Sequence, residues 1–93
     1  MKALKPSARE SKRYIFVRGK NPSANVSKAV VEFLGVFGSS EASLKLIEKD
    51  DKNGTAIFIL NRKSLDKVRA AIVVFSERME VVKVSGTLKG LGR

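Results

Sequence analysis

The chain has 93 residues, enough for one hydrophobic core and too few for two, so a single domain over residues 1–93 is predicted. Apolar residues make up 43% and charged residues 30%, and the longest strictly apolar stretch, residues 70–75, is too short to span a bilayer. The absence of Cys and His excludes disulfides, thiolate metal sites and imidazole acid–base catalysis.

The excess positive charge lies at the two ends of the chain. The net charge is +10, and residues 1–28 carry eight cations against one acid. Residues 29–80 carry eight of each sign, whereas residues 81–93 carry three cations and no acid. Solubility alone requires fewer charges, so this distribution favours a polyanionic partner over simple solvation of the termini. No apolar run follows the first lysines, which predicts no secretory signal and a cytoplasmic location.

The first predicted elements are a strand and a helix. Residues 13–19, RYIFVRG, are rich in β-branched and aromatic side chains and end before the turn-forming GKNPS. A helical stripe with spacings of three and four follows, made of Val26, Ala29, Val30, Phe33, Leu34 and Phe37. Ser23 or Asn25 is predicted to cap this helix and Gly38 to end it.

The second half predicts a hairpin, a helix and a last strand. Residues 43–49 and 55–60 form strands around the turn DDKNG. Asn61 is an N-cap candidate for a helix with the apolar stripe Leu65, Val68, Ile72, Phe75 and Met79. Residues 80–86 then form the fourth strand.

The order strand, helix, strand, strand, helix, strand predicts an α+β, ferredoxin-like (split βαβ) sandwich. Two helices should cover one face of a four-stranded antiparallel sheet with spatial order 4-1-3-2. The start of strand one and the ends of strands three and four then meet at one edge.

That juxtaposition predicts a basic edge suited to a nucleic-acid phosphate backbone. It combines a basic leader (residues 1–12), the end of strand three, and a Gly-rich tail (residues 87–93) that we expect to be mobile. The predicted contacts to phosphate are Lys5, Arg9, Lys12, Arg13, Arg62, Lys63, Lys89 and Arg93.

The face of the sheet away from the helices is predicted to be apolar, and the second helix to be apolar nearly all round. The candidate protein-interface residues are Tyr14, Phe16, Ile57, Ile59, Val73 and Val74. Either a helical turn within residues 3–12 or a protein partner should cover the open face. Base stacking of the RNA-recognition-motif kind is not expected, because Thr55 and Ile57 occupy the stacking positions of strand three.

No catalytic constellation is apparent. Asp50 and Asp51 could hold a metal, but beside Asn53-Gly54 they are more simply turn residues. Ser64 and Ser85 have no activating base, and no helix follows the tail glycines to form a phosphate loop. We therefore predict no catalytic residue, no metal site and no cofactor bound by the protein.

Four segments in order along the chain resemble archaeal ribonuclease P protein component 2, the Pop-five-type subunit family. They are KPSARESKRYIFV, FLGVFGSSEASLKLI, NRKSLDKVRAAI and VSGTLKGL, and together they cover nearly the whole chain. Lys12-Arg13-Tyr14 and Val84-Ser85-Gly86-Thr87 are the most distinctive pieces. The chain departs from the family where Ile59 replaces a frequent arginine and in its short tail.

The resemblance implies a subunit of the ribonucleoprotein that removes 5′ leaders from precursor tRNA, with catalysis residing in the RNA and magnesium as the RNA's cofactor. It implies pairing with protein component 3, and two such pairs joined through this subunit. The composition also permits a small chromatin-type protein that coats duplex DNA as a homodimer. A ferredoxin-like regulatory domain is a third possibility, without a polar pocket signature to support it.

Overall fold

The computed structural model describes residues 12–92 and shows one sheet of four strands with two helices. The strands are β1 (Lys12–Gly19), β2 (Lys45–Asp50), β3 (Thr55–Asn61) and β4 (Met79–Ser85). The helices are α1 (Pro22–Ala42) and α2 (Leu65–Val74), and short 3₁₀ turns cover Arg62–Ser64 and Lys89–Leu91.

The sheet has the predicted order, β2-β3-β1-β4, with antiparallel neighbours throughout. In the register, Lys12 of β1 lies opposite Asn61 of β3, and Tyr14 lies opposite Ser85 of β4. The ferredoxin-like α+β architecture is therefore confirmed, and so is the meeting of these three strand ends.

The core lies between the sheet and the helices. Ile15 and Val17 of β1 are fully buried, as are Phe58 and Leu60 of β3, because alternate side chains of a strand point to one face. Val26, Ala29 and Val30 of α1 and Val68, Ala71 and Ile72 of α2 complete this layer. Phe16 consequently lies on the opposite face, as predicted.

The first helix differs from its prediction at both ends. It begins at Pro22 after Asn21, and the Asn25 side chain instead donates to the Lys20 carbonyl oxygen at 2.7 Å. It does not end at Gly38: non-helical backbone at Gly35 (φ 75°, ψ −177°) kinks it, and helix resumes as far as Ala42.

Two residues of the predicted apolar stripe are not in the core, and the kink accounts for the one that follows it, Phe37. Phe33 is about half exposed and Phe37 is 87% exposed. A constant periodicity assumes an unbroken helix, and the glycine conformation at Gly35 rotates everything that follows it. The helical surface therefore carries more apolar area than the sequence pattern predicted.

The second helix is also shorter than its stripe. Asn61 does cap the segment, since its side chain accepts from the Lys63 backbone N–H at 3.1 Å, but the capped turn is 3₁₀. The helix ends at Val74, so Met79 is buried from β4 rather than from the helix. In the hairpin turn, Asp50 accepts hydrogen bonds from both the backbone and the side chain of Asn53, which is the turn role predicted for it.

Candidate nucleic-acid interface

Five predicted cations lie at one end of the sheet, which we call the basic edge. Lys12 and Arg13 open β1, Arg62 and Lys63 follow β3, and Lys89 follows β4. The Lys12–Asn61 register places the first two pairs side by side. The 3₁₀ turn that contains Lys89 packs against both β1 and β4.

Arg13 connects the β1 and β4 parts of the basic edge. Its Nη1 donates to the Lys12 carbonyl oxygen at 2.7 Å, and its guanidinium lies against Gly86, where an added Cβ would be 3.7 Å from Nη1. The half-buried Arg13 side chain is thus held across the end of β4 instead of extending freely into solvent.

The far end of the sheet has a different charge arrangement. There Arg18 pairs with Glu80 at 3.1 Å, and Lys49 pairs with Asp51 at 3.7 Å. At the basic edge, by contrast, Lys12, Arg62, Lys63 and Lys89 form no ion pair with an acid among residues 12–92. Positive charge at the basic edge is therefore available to a polyanion.

The sequence-based prediction missed one cation at this edge, Lys45. Its strand runs antiparallel to β3, and Lys45 lies opposite Ile59, close to the end of β3, with an exposed side chain. The strand order that grouped the other residues could have identified it. Lys5, Arg9 and Arg93 lie outside the described residues, as do residues 3–11 of the segment predicted to cover the open face, whereas its last residue, Lys12, lies in β1.

The glycine-rich tail forms a 3₁₀ turn at Lys89–Leu91 with hydrogen bonds of its own, which the expectation of a mobile tail did not include. The Ser85 hydroxyl accepts from the Thr87 N–H at 3.2 Å, and the Thr87 hydroxyl accepts from the Gly90 N–H at 2.9 Å. Leu91 is only 7% exposed. Hydroxyl groups and one buried apolar side chain thus fix the turn that carries Lys89.

Replacing Gly90 by Ala should open this turn, because the added Cβ would overlap the Ser85 hydroxyl oxygen. We expect a loss of about 1–3 kcal/mol in the free energy of unfolding, measured by urea titration. Gly86→Ala is the matched control, since its Cβ would meet only the Arg13 side chain at ordinary contact distance. Equal stability of the two variants would contradict the packing described for the turn.

The open face of the sheet carries the predicted apolar group, with one correction. Tyr14 pairs with Ile59 and Phe16 with Ile57 across β1 and β3. Tyr14, Phe16 and Ile59 are half-buried, but Ile57 is only 2% exposed. It lies between Phe16 and Glu48 in the register, so these neighbours flank it and it offers almost no surface to a partner.

The helical side is the more accessible apolar surface. Val73 is 77% exposed and Val74 more than half exposed, in keeping with their predicted accessibility. Val31 of α1 and Phe75, just after α2, line a groove of about 730 Å³ between the helices. Val36 and Phe37 add exposed apolar side chains around the kink. The sequence pattern assigned no role to Val36 and placed Phe37 in the core.

Neither a metal centre nor a membrane span is found in the described part. Within residues 12–92, no group of three or more acidic side chains is placed to hold a metal ion. No helix in that range has the length and apolar character needed to cross a bilayer.

Comparison with known proteins decides the family. The chain is 35% identical over 106 aligned residues to ribonuclease P protein component 2 of Thermococcus gammatolerans, with 99% of this chain and 88% of the relative covered. Identity to the protein of the same name from Thermococcus kodakarensis is 34% over the same coverage. The chain belongs to the ribonuclease P protein component 2 family. No family model matches it.

Membership makes this chain a ribonuclease P protein subunit and associates it with an endoribonuclease complex. It also agrees with the resemblance drawn from the four segments. The basic edge is therefore found on a subunit of a ribonuclease P.

Proposed function

We propose that the chain is a non-catalytic, RNA-binding subunit of ribonuclease P that acts in the cytoplasm. The observation that supports this most directly is the basic edge: four strand ends bring separate cations together on a chain of this family. Phosphate contacts by lysine and arginine give affinity without reading sequence, which suits support of a folded RNA.

In this proposal the RNA performs the chemistry and holds the magnesium ions. The basic edge neutralises phosphates that would otherwise repel one another in the active fold of the RNA. The protein thereby lowers the magnesium concentration needed for removal of the 5′ leader from precursor tRNA, and it acts on precursor tRNA only indirectly.

The apolar helical surface provides the site for protein partners. A lone globular domain rarely exposes a large contiguous apolar area, and this side of the molecule has both a groove lined by Val31 and Phe75 and the exposed Val73 and Val74. We propose that protein component 3 binds this apolar helical surface. Two such pairs, joined through this subunit, would form a heterotetramer.

Reconstituted cleavage tests the proposed function. Ribonuclease P RNA from the same organism, with and without the chain, is incubated with precursor tRNA across a magnesium series. We expect the protein to shift half-maximal cleavage to lower magnesium. An unchanged magnesium curve would contradict the proposal. Sequencing of nucleic acid recovered with the protein from native lysate separates it from a chromatin-type protein, which would carry heterogeneous DNA.

A further inference from the structure

A polar cleft of about 420 Å³ opens beside the basic edge. One wall comes from the end of α1, and the other from the 3₁₀ turn and the first turn of α2. The lining residues are Ser40, Glu41, Ser43, Asn61, Lys63, Ser64 and Lys67. Its volume lies within the range of about 300–1,000 Å³ that is typical of pockets for small ligands.

Ser64 gives this cleft a feature that ordinary surface hollows lack. Its residue is only 6% exposed, yet its side chain makes no capping hydrogen bond to α2 and none to any other described residue. No fully enclosed side-chain polar atom among residues 12–92 lacks a partner, so the Ser64 hydroxyl is accessible to solvent, and Ser64 lines the cleft. An accessible hydroxyl on an otherwise buried residue, without a partner among the described residues, is free to bind a ligand.

The net charge of the cleft indicates what kind of ligand it can bind. Lys63 and Lys67 contribute two positive charges and Glu41 one negative charge. The resulting excess of one positive charge matches one phosphodiester, whereas a group with several phosphates would bring uncompensated negative charge. Asp66 is exposed and does not line the cleft.

The position of the cleft connects it to the RNA-binding surface. Lys63 belongs both to the basic edge and to the lining, and Asn61 pairs with Lys12 across the sheet. An RNA strand that follows the cations of the basic edge would therefore pass the mouth of the cleft.

We infer that the cleft binds one backbone phosphate of the RNA, with the Ser64 hydroxyl donating to a phosphate oxygen and Lys63 and Lys67 neutralising its charge. This inference rests on the proposed function, because it places a phosphate contact beyond the basic edge. It adds Lys67 and Ser64, which the sequence did not indicate, to the RNA-binding residues.

The test compares two single variants of the full chain, Lys67→Ala and Ser64→Ala, with ribonuclease P RNA as the probe over a salt series. Lys67→Ala should reduce the slope of log affinity against log salt by about 0.7–0.9, the value of one phosphate contact. Ser64→Ala should weaken binding about fivefold with an unchanged slope, since it removes a hydrogen bond but no charge.

Two controls separate the possible failures. Lys28→Ala removes an exposed cation of α1 away from the cleft and should change neither quantity. Lys12→Ala tests the basic edge alone. If Lys12→Ala weakens binding but both cleft variants behave like Lys28→Ala, the inference is overturned while the proposed function stands. If the RNA does not bind, or if Lys12→Ala also has no effect, the result contradicts the proposed function itself, and not only the phosphate site in the cleft.

A third arm addresses free phosphate as the ligand. Amide NMR shifts of Ser64 and Lys67 are followed during titration with inorganic phosphate. Shifts together with wild-type RNA binding by both variants would make the cleft a free-anion site and overturn the inference. If thermal melting shows that Ser64→Ala is destabilised, Lys67→Ala alone decides the outcome.

Discussion

A variant in which four cations of the basic edge become alanine should lose much of the salt dependence of its RNA binding. The four are Lys12, Arg62, Lys63 and Lys89. Each phosphate contact releases condensed counterions and contributes about 0.7–0.9 to the slope of log affinity against log salt, so the slope should fall by about three. Filter binding or fluorescence anisotropy with ribonuclease P RNA, across a salt series, measures it.

The control carries the same loss of charge at positions away from the basic edge. It replaces four exposed cations by alanine, namely Lys20, Lys28, Lys52 and Arg69. If the slope depends only on net charge, both variants should flatten it equally, and that result would refute the assignment of contacts to the basic edge. A selective effect of the first variant would support it, because a contact requires proximity as well as charge.

Replacing Val73 by Lys should separate partner binding from folding. The side chain is 77% exposed, so the melting temperature should remain within about 4 °C of wild type. If component 3 covers this surface, the buried charge should weaken that association about 30-fold or more, as expected for a central interface residue. Isothermal titration calorimetry with component 3 measures the loss.

Two further variants serve as comparisons for Val73→Lys. Val82→Lys makes the same substitution at an exposed position of β4 instead of α2 and should leave both quantities unchanged. Phe16→Lys, in contrast to Val73→Lys, should lower the melting temperature, because Phe16 is half-buried beside Ile57. Wild-type affinity of Val73→Lys for component 3 would exclude α2 from the interface.

Much of the fold could be predicted because it depends on local sequence patterns, namely the alternation of side chains in strands and the order of the elements. Alternation in β1 placed Ile15 and Val17 in the core and Phe16 on the open face, and the element order restricted the sheet to one topology. The errors came where one backbone conformation overrides periodicity. At Gly35 a single non-helical residue redirects the rest of α1 and exposes Phe37.

In the candidate site, too, some features could be predicted from the sequence and others could not. Antiparallel strand order was enough to bring Lys12 and Arg13 beside the end of β3, but the prediction did not extend the argument to Lys45. The turn in the tail was not predicted because its glycines were interpreted only as a sign of mobility. In the structure, Gly90 is required by close packing against Ser85, which is a contact and not a local propensity.

By itself, the sequence determined the family, the order of elements and the net charge of each segment, since these depend on residue identity and on spacing along the chain. Only the tertiary structure decided that Leu91 is buried, that Ile57 is covered, and that Ser64 faces a cleft shared with Lys67. Burial and hydrogen bonding depend on which distant segments pack together, and spacing along one chain does not specify those distances.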